Sequence, residues 1–426
     1  MTAFHRNQVF IAIPLALTLA GCGGGSEENL GIAAPEACDV ASQNQFVYDV
    51  MRDSYLWADQ VPDLDPLSFD SPEALLEYIV DAVELDRWSS ITNEAAFSQF
   101  YEEGKYEGFG ISYRYLDNNE LALLYVFDDS PFGKEGFKRS DTIVAMNGLR
   151  LSSLSRVEII DIFDSEEPID FVVRSSDGNE REAKLGRDLV TMNTVLENRT
   201  IDLTGVKYGY IALSSFLETS VPELTEVFSN FSRDGVDEII LDLRYNPGGR
   251  IDTAVHLGTL MGGQNVDGKV FGKREHNENY ASRNSDRTFN STSAQGYETV
   301  TIITTARTCS ASELIINSLG PHINVQLVGA KTCGKPVGTY GSSFCEKRIQ
   351  PIEFITANAN GFNDYFDGFT PTCSVEDNDV SRDFGDPAEG MLKAALSFAN
   401  TGQCTTDSVS GFIYKDIPIS AESINQ

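Results

Sequence analysis

Three short segments rich in apolar and β-branched residues constrain this chain more than anything else in it: DEIILDLR (237–244), TVTIITT (299–305) and NVQLVG (324–329). Each reads as a strand buried on both faces. Helix-length stretches separate them. One opens at Ser220-Val221-Pro222 and carries Leu224, Val227, Phe228 and Phe231 on one side. Strands of this kind, joined through helices, pack as a mostly parallel sheet covered on both sides. KYGYIALSSF (207–216) is a further strand. Residues 264–297 are polar without apolar periodicity and read as an excursion from the sheet.

The 426 residues allow two or three domains. Over 99–192, short strand-like runs alternate with turn signals. ELALLYVF (120–127) precedes Ser130-Pro131, TIVAM (142–146) meets the tight-turn pair Asn147-Gly148, and IDFVVR (169–174) and REAKL (181–185) flank Asp177-Gly178. With one late helix, VEIIDIF (157–163), these make a small barrel-like α+β module. Upstream, over 37–98, Phe46, Val47, Val50, Met51 and Tyr55 recur at helical spacing, and a second helix opens at Ser71-Pro72 with Leu75, Leu76, Ile79, Val80 and Val83 on its apolar face. This is an N-terminal helical domain, with Trp57 and Trp88 as core anchors. The fold class is therefore multi-domain α/β: a helical segment, the α+β module, and an α/β domain over 193–404. The tail over 405–426 lacks strong periodicity.

The chain starts with His5 and Arg6 followed by VFIAIPLALTLA (9–20). Twelve apolar residues interrupted by Pro14 are too short to span a bilayer of about 30 Å. They read as a secretory h-region. Leu19-Ala20-Gly21-Cys22 resembles a bacterial lipobox, in which the signal (1–21) is cut before the cysteine and the thiol carries diacylglycerol. GGGSEEN then begins a flexible tether over 22–36. Gly23, rather than Asp, implies an outer-membrane anchor facing the periplasm.

Against 32 Lys+Arg stand 64 Asp+Glu, a formal charge of −32. Such a chain repels phosphate backbones, which excludes nucleic acid as a partner class. With Cys22 assigned to lipid, six cysteines remain in an exported protein, enough for three disulfides. The expected pairs are Cys38–Cys404, Cys309–Cys333 and Cys345–Cys373. No Cys-x-x-Cys pair exists and the four His are scattered, so no metal site is expected.

Two segments carry candidate chemistry. Leu243-Arg244-Tyr245-Asn246-Pro247-Gly248-Gly249 follows a buried strand and precedes a helix. In open α/β sheets the crevice beyond the strand ends binds ligands, and Gly248 and Gly249 can turn backbone N–H groups outward as an oxyanion hole. Thr308-Cys309-Ser310-Ala311-Ser312-Glu313 also follows a strand and begins a helix. Ser310 there is either an ordinary N-cap or a nucleophile at the crevice. Lys335, after the next strand, can return to the same crevice, where burial makes its amine a usable base. His322 lies about 18 Å along the helix axis from Ser310, and His276 lies in the polar excursion, so His256 is the only alternative base.

LDLRYNPGG, TCSASE and TCGKPVG, in this order after a module with Gly108-Phe109-Gly110-Ile111 before its first strand, resemble the C-terminal processing peptidases (tail-specific proteases), in a lipoprotein-like branch. The resemblance covers the α+β module and the α/β domain. It implies that Ser310 is the nucleophile and Lys335 the general base, with oxyanion donors from Ala311 and from Gly248 or Gly249. The Gly-Phe-Gly-Ile segment resembles the carboxylate-binding loop of PDZ domains, whose backbone N–H groups converge on a peptide terminus while the peptide adds to a strand edge. Many family members carry a Gln four residues after the Lys. Here that position is Thr339, and either its hydroxyl bonds the amine or another group takes that role.

The expected function is a serine endopeptidase with a Ser–Lys dyad and no cofactor. Its substrates are exported proteins or peptides with free C-termini, and its membrane contact is the lipid anchor alone. The alternative is a non-catalytic lipoprotein whose PDZ-like module holds protein tails without cutting them. A hydrolase of small esters on the same dyad is a weaker third reading.

Overall fold

The computed structural model describes residues 32–404, so the signal segment, Cys22 and the tail from 405 onward lie outside the described residues. At the centre is a six-stranded sheet in the order Val195–Leu203, Val206–Leu213, Glu238–Asp242, Thr299–Thr304, Asn324–Gly329, Cys373–Ser374. The first two strands form an antiparallel hairpin turning at Thr204 and Gly205, both with positive φ. Every later neighbour pairs in parallel. Parallel pairing places the C-terminal ends of Glu238–Asp242 and Thr299–Thr304 side by side, so the loops that follow them meet.

Both faces of this sheet are covered. Helices Ser220–Asp234, Ile251–Gly262 and Ala311–Leu319 pack one face through Leu224, Phe228, Leu257, Ile315 and Leu319. Helix Gly390–Thr401, which is not among the expected elements, packs the other through Met391, Leu392, Ala395 and Phe398. The polar stretch 264–297 does leave the central sheet. Its strands Val270–His276 and Ser285–Thr288 join Phe354–Ala357 and Val337–Gly338 in a separate antiparallel sheet.

The strand-rich unit is an antiparallel sheet in the order Ile111–Tyr115, Leu121–Val126, Thr142–Met146, Ile169–Arg174, Glu180–Leu185. Its turns follow the sequence signals. Asn147 and Gly148 adopt positive φ between paired strands. Helix Arg156–Phe163 starts in a capping box, Ser155 with Glu158. Ile111–Tyr115 is an edge strand of this sheet.

The N-terminal helices Val40–Asp53 and Pro72–Asp81 start where expected. Asp39 accepts the N–H of Ser42 at 3.0 Å, and Ser71 accepts that of Ala74 at 3.1 Å. They do not form a separate core. Phe46, Val47, Met51, Leu75 and Ile79 pack with Val337, Phe344, Ile349 and Ile352 of the α/β region. Strand Ser90–Asn93 pairs with Lys347–Gln350. The expected boundary near residue 98 falls inside the helix Glu94–Tyr101. The apolar residues that signal the two N-terminal helices thus also anchor the chain just after Lys335.

Two of the three expected disulfides are corrected. Cys309–Cys333 is present, but the other pairs are Cys38–Cys345 and Cys373–Cys404. Cys345 lies between the paired strands Ser342–Phe344 and Lys347–Gln350, in the sheet that receives the N-terminal unit. That brings it to Cys38 rather than to Cys373. Cys404 follows the helix that packs over the central sheet, where Cys373 forms the edge strand.

Candidate functional site

The segments after Glu238–Asp242 and Thr299–Thr304 are tied into one turn cluster by main-chain carbonyls. Thr308 Oγ1 donates to the carbonyl of Leu243 at 2.8 Å, the N–H of Cys309 to that of Asn246 at 3.1 Å, and Ser312 Oγ to the same Asn246 carbonyl at 3.0 Å. Beneath them Arg244, 1 % exposed, binds Asp242 at 2.7 Å and Glu389 at 2.7 Å, with Asp377 at 3.4 Å. Burial alone would raise the Asp377 carboxyl; Arg244, Arg114 and Arg139 outweigh it and hold the group low. Asp242 is therefore a structural ion-pair partner, and the cluster rests on a neutralised charge network.

Ser310 sits at the head of helix Ala311–Leu319 with φ 54° and ψ −114°. A non-glycine residue in that region costs about 1–3 kcal/mol, so the surrounding bonds must hold it there. Gly248, at φ 107°, explains part of the constraint. A Cβ on it would stand 2.8 Å from the Ser310 Cβ and 2.9 Å from the Ala311 nitrogen. The glycine turn therefore lies directly against the nucleophile candidate. The N–H of Gly248 donates to Asn246 Oδ1 at 2.9 Å, which commits it inside the turn. Of the expected donor candidates, that leaves the amides of Gly249 and Ala311. Gly249, at φ 134°, is pressed onto Phe216, whose carbonyl would lie 2.2 Å from an added Cβ.

Glu313 organises the other side. It is wholly buried, and its carboxylate accepts N–H groups from Ser310 at 3.1 Å, Gly334 at 2.7 Å and Lys335 at 2.7 Å, and the Thr332 hydroxyl at 2.5 Å. Burial raises its carboxyl above the ordinary range, against those bonds. One side chain thus fixes both the Ser310 turn and the Lys335 segment. Cys309–Cys333 links the same two segments covalently. The ligand atoms of Cys309, Glu313 and Cys333 lie within 4.8 Å of one another, but the two sulfurs are bonded to each other and offer no thiolate. Sequence reasoning gave Glu313 no role, although Ser310-Ala311-Ser312-Glu313 has the spacing of a capping box.

Lys335 is half-buried, and burial lowers its amine to about 8 against the pull of Asp86 and Glu313. Its Nζ lies 5.8 Å from the centroid of the Trp88 ring. Thr339 does not take a place beside the amine. Its hydroxyl donates to Glu353 at 3.3 Å, in a pocket where Glu353 also accepts the N–H groups of Tyr340 and Gly341. Strand Val337–Gly338 carries the chain away from Lys335 into the side sheet, and Thr339 goes with it.

The histidines are engaged elsewhere. His256 Nε2 bonds Thr225 at 2.9 Å, His322 Nε2 donates to the Val270 carbonyl at 2.9 Å, and His276 bonds Asn284 and Tyr340. In the strand-rich unit, Gly108 closes a strand against the Tyr106 ring, and Phe109 is a core residue among Phe132, Phe163 and Phe171. Gly110 has φ 78°, and a Cβ there would run into Ser130. Ile111 begins the edge strand.

Residues 207–350 match the model of Peptidase family S41, and residues 42–90 match the Peptidase S41 N-terminal domain. A Staphylococcus haemolyticus protein described as a CtpA-like serine protease is 23% identical over 331 residues, covering 77% of this chain and 62% of the relative. The carboxy-terminal processing protease CtpA of Bacillus subtilis is 25% identical over 255 residues, covering 59% and 52%. The chain thus spans between half and two thirds of the length of these relatives. The crystal structure of a Bacteroides fragilis protein described as an S41 protease superposes with a TM-score of 0.70 at 25% identity, covering 84% of this chain and 97% of that one. The chain thus carries two Peptidase S41 domain matches in succession, over 42–90 and 207–350, and is similar to CtpA-like serine proteases and to a solved protein described as an S41 protease.

Proposed function

We propose that the protein is a serine endopeptidase acting through Ser310 and Lys335. The observation that carries this reading is the shared carboxylate. Glu313 accepts the N–H of Ser310 and the N–H of Lys335, so the nucleophile and base candidates are held by a single buried group. In the proposed reaction Ser310 Oγ bonds to the scissile carbonyl carbon while its proton passes to the neutral Lys335 amine. The tetrahedral oxyanion is met by the amides of Ala311 and Gly249. Its collapse breaks the C–N bond, and the Lys335 ammonium gives its proton to the leaving amine. Water then attacks the acyl ester with Lys335 again taking the proton, and Ser310 is regenerated.

Substrate selection is assigned to the strand-rich unit as a PDZ-like module that receives a free C-terminal tail. Three features support it: the edge strand Ile111–Tyr115, the tight Gly110 loop against Ser130, and the helix Arg156–Phe163. Arg307, three residues before Ser310, donates to the carbonyl of Tyr113 on that edge strand at 3.3 Å. A tail added there runs beside the turn that carries the nucleophile. The apolar segment 9–20 followed by Cys22 supports export and a lipid anchor at the periplasmic face of the outer membrane.

The test is cleavage of an unfolded, tail-bearing protein by the chain lacking residues 1–22. Cleavage by the parent that is lost in both Ser310→Ala and Lys335→Ala supports the enzyme. Tail binding without cleavage by the parent overturns it in favour of a holding protein.

A further inference from the structure

The N-terminal helical unit delivers a turn to the base. Asp86 is 6 % exposed, and every hydrogen bond recorded for its side chain comes from its own unit. Oδ1 accepts the N–H of Trp88 at 2.9 Å and of Ser89 at 3.0 Å, and Oδ2 accepts the Tyr55 hydroxyl at 2.8 Å. The turn is fastened to the α/β region from several sides. The N–H of Ile352 donates to Ser89 Oγ at 3.0 Å, Arg87 donates to the Phe366 carbonyl at 3.1 Å, and the Trp88 ring rests near Phe366 at 6.3 Å between centroids. The next residues, Ser90–Asn93, continue into the shared sheet. The outcome is an indole 5.8 Å from the Lys335 amine, with the carboxylate of Asp86 two residues before it on the same turn and its charge acting on that amine.

Resting on the Ser310–Lys335 reading, we propose that Asp86 and Trp88 are positioning residues for Lys335, supplying from the N-terminal unit the orientation that Thr339 does not give. Asp86 and Trp88 belong to this turn, Glu313 lies behind the Lys335 backbone, and Arg87 sits over the same Trp88 ring at 4.8 Å. An indole face and a carboxylate both favour the ammonium. They offset the burial that would otherwise make the amine too weak a base to take a serine proton. The N-terminal unit is then part of the catalytic apparatus, and its disulfide Cys38–Cys345 and shared core serve to keep the turn in register with the lysine.

The experiment follows the rate of Ser310 labelling by a fluorophosphonate probe against pH. In Asp86→Asn the acid limb is expected to move down by about one pH unit, with a plateau about threefold lower, and Asp86→Glu is expected to restore the parent limb. An unmoved limb in a folded Asp86→Asn protein overturns the proposal while leaving the dyad standing. Labelling that persists in Lys335→Ala takes down the dyad reading and this proposal together. Should Asp86→Asn fail to fold, Trp88 decides. In a Trp57→Phe background its fluorescence is expected to step near pH 8 and to lose that step in Lys335→Met. Absence of the step overturns the proposal.

Discussion

Glu313 accepts the main-chain N–H of Lys335 at 2.7 Å from a position three residues beyond Ser310, on the first turn of the helix Ser310 begins. Two loops that leave different strands are thereby held by one carboxylate. The main chain of Ser310 and that of Lys335, the proposed nucleophile and base, are then fixed by short bonds within a buried hub rather than by the packing of the whole domain.

Glu313→Gln is the sharpest probe of that hub. The amide nitrogen of Gln would face N–H donors that now meet a carboxylate oxygen, leaving at least one buried donor unpaired. The expected result is a loss of about 2–3 kcal/mol in denaturant unfolding and a fall in cleavage rate on the order of 100-fold, with KM changed little. Equal activity of the variant and parent would contradict the role given to this side chain.

Gly248→Ala tests the close approach of the glycine turn. The new Cβ would meet the Cys309 carbonyl and the Ser310 Cβ at 2.8 Å, at a φ of 107° that alanine resists. Destabilisation of about 2–4 kcal/mol is expected, together with loss of Ser310 labelling. Calorimetry and probe labelling of the same preparation would read both.

The Cys309–Cys333 bond closes a short loop, with a sequence separation of 24, between the two site segments. Replacing both cysteines by serine is expected to cost about 3 kcal/mol and to lower activity severalfold while the fold persists. Intact-mass measurement under non-reducing conditions checks the pairing itself, and thermal melts of the double variant check the cost.

Much of this architecture is written locally in the chain. Segments rich in apolar and β-branched residues such as 299–305 can be satisfied only between two layers, and the turn pair Asn147-Gly148 needs positive φ at both residues, as observed. Ser310 and Lys335 could be placed at one crevice because both follow parallel strands. What was not legible depends on contacts between distant segments. Nothing near Asp86 or Trp88 in sequence points to a lysine in the α/β region, because the link is made by the shared core of Phe46, Leu75, Phe344 and Ile349. The pairing of Cys38 and Cys404 failed for the same reason: chain ends carry no record of which sheet edge each will reach. The place of Thr339 away from the amine is not written locally either, because the change of direction at Val337–Gly338, into a side sheet with Phe354–Ala357, is a tertiary event.

The central claim is that an amine at Lys335, kept only partly protonated by burial, accepts the proton of Ser310. Its folded value of about 8 lies below the ordinary lysine value of 10.5, so the neutral form is populated from near pH 8 upward. The most direct measurement is the pH dependence of kcat/KM on a fixed peptide substrate between pH 6 and 10. The account predicts a rise governed by one group titrating near 8, absent from Lys335→Ala. A rate limb below pH 6.5, where burial puts His256, that survives in Lys335→Ala and disappears in His256→Ala would contradict it.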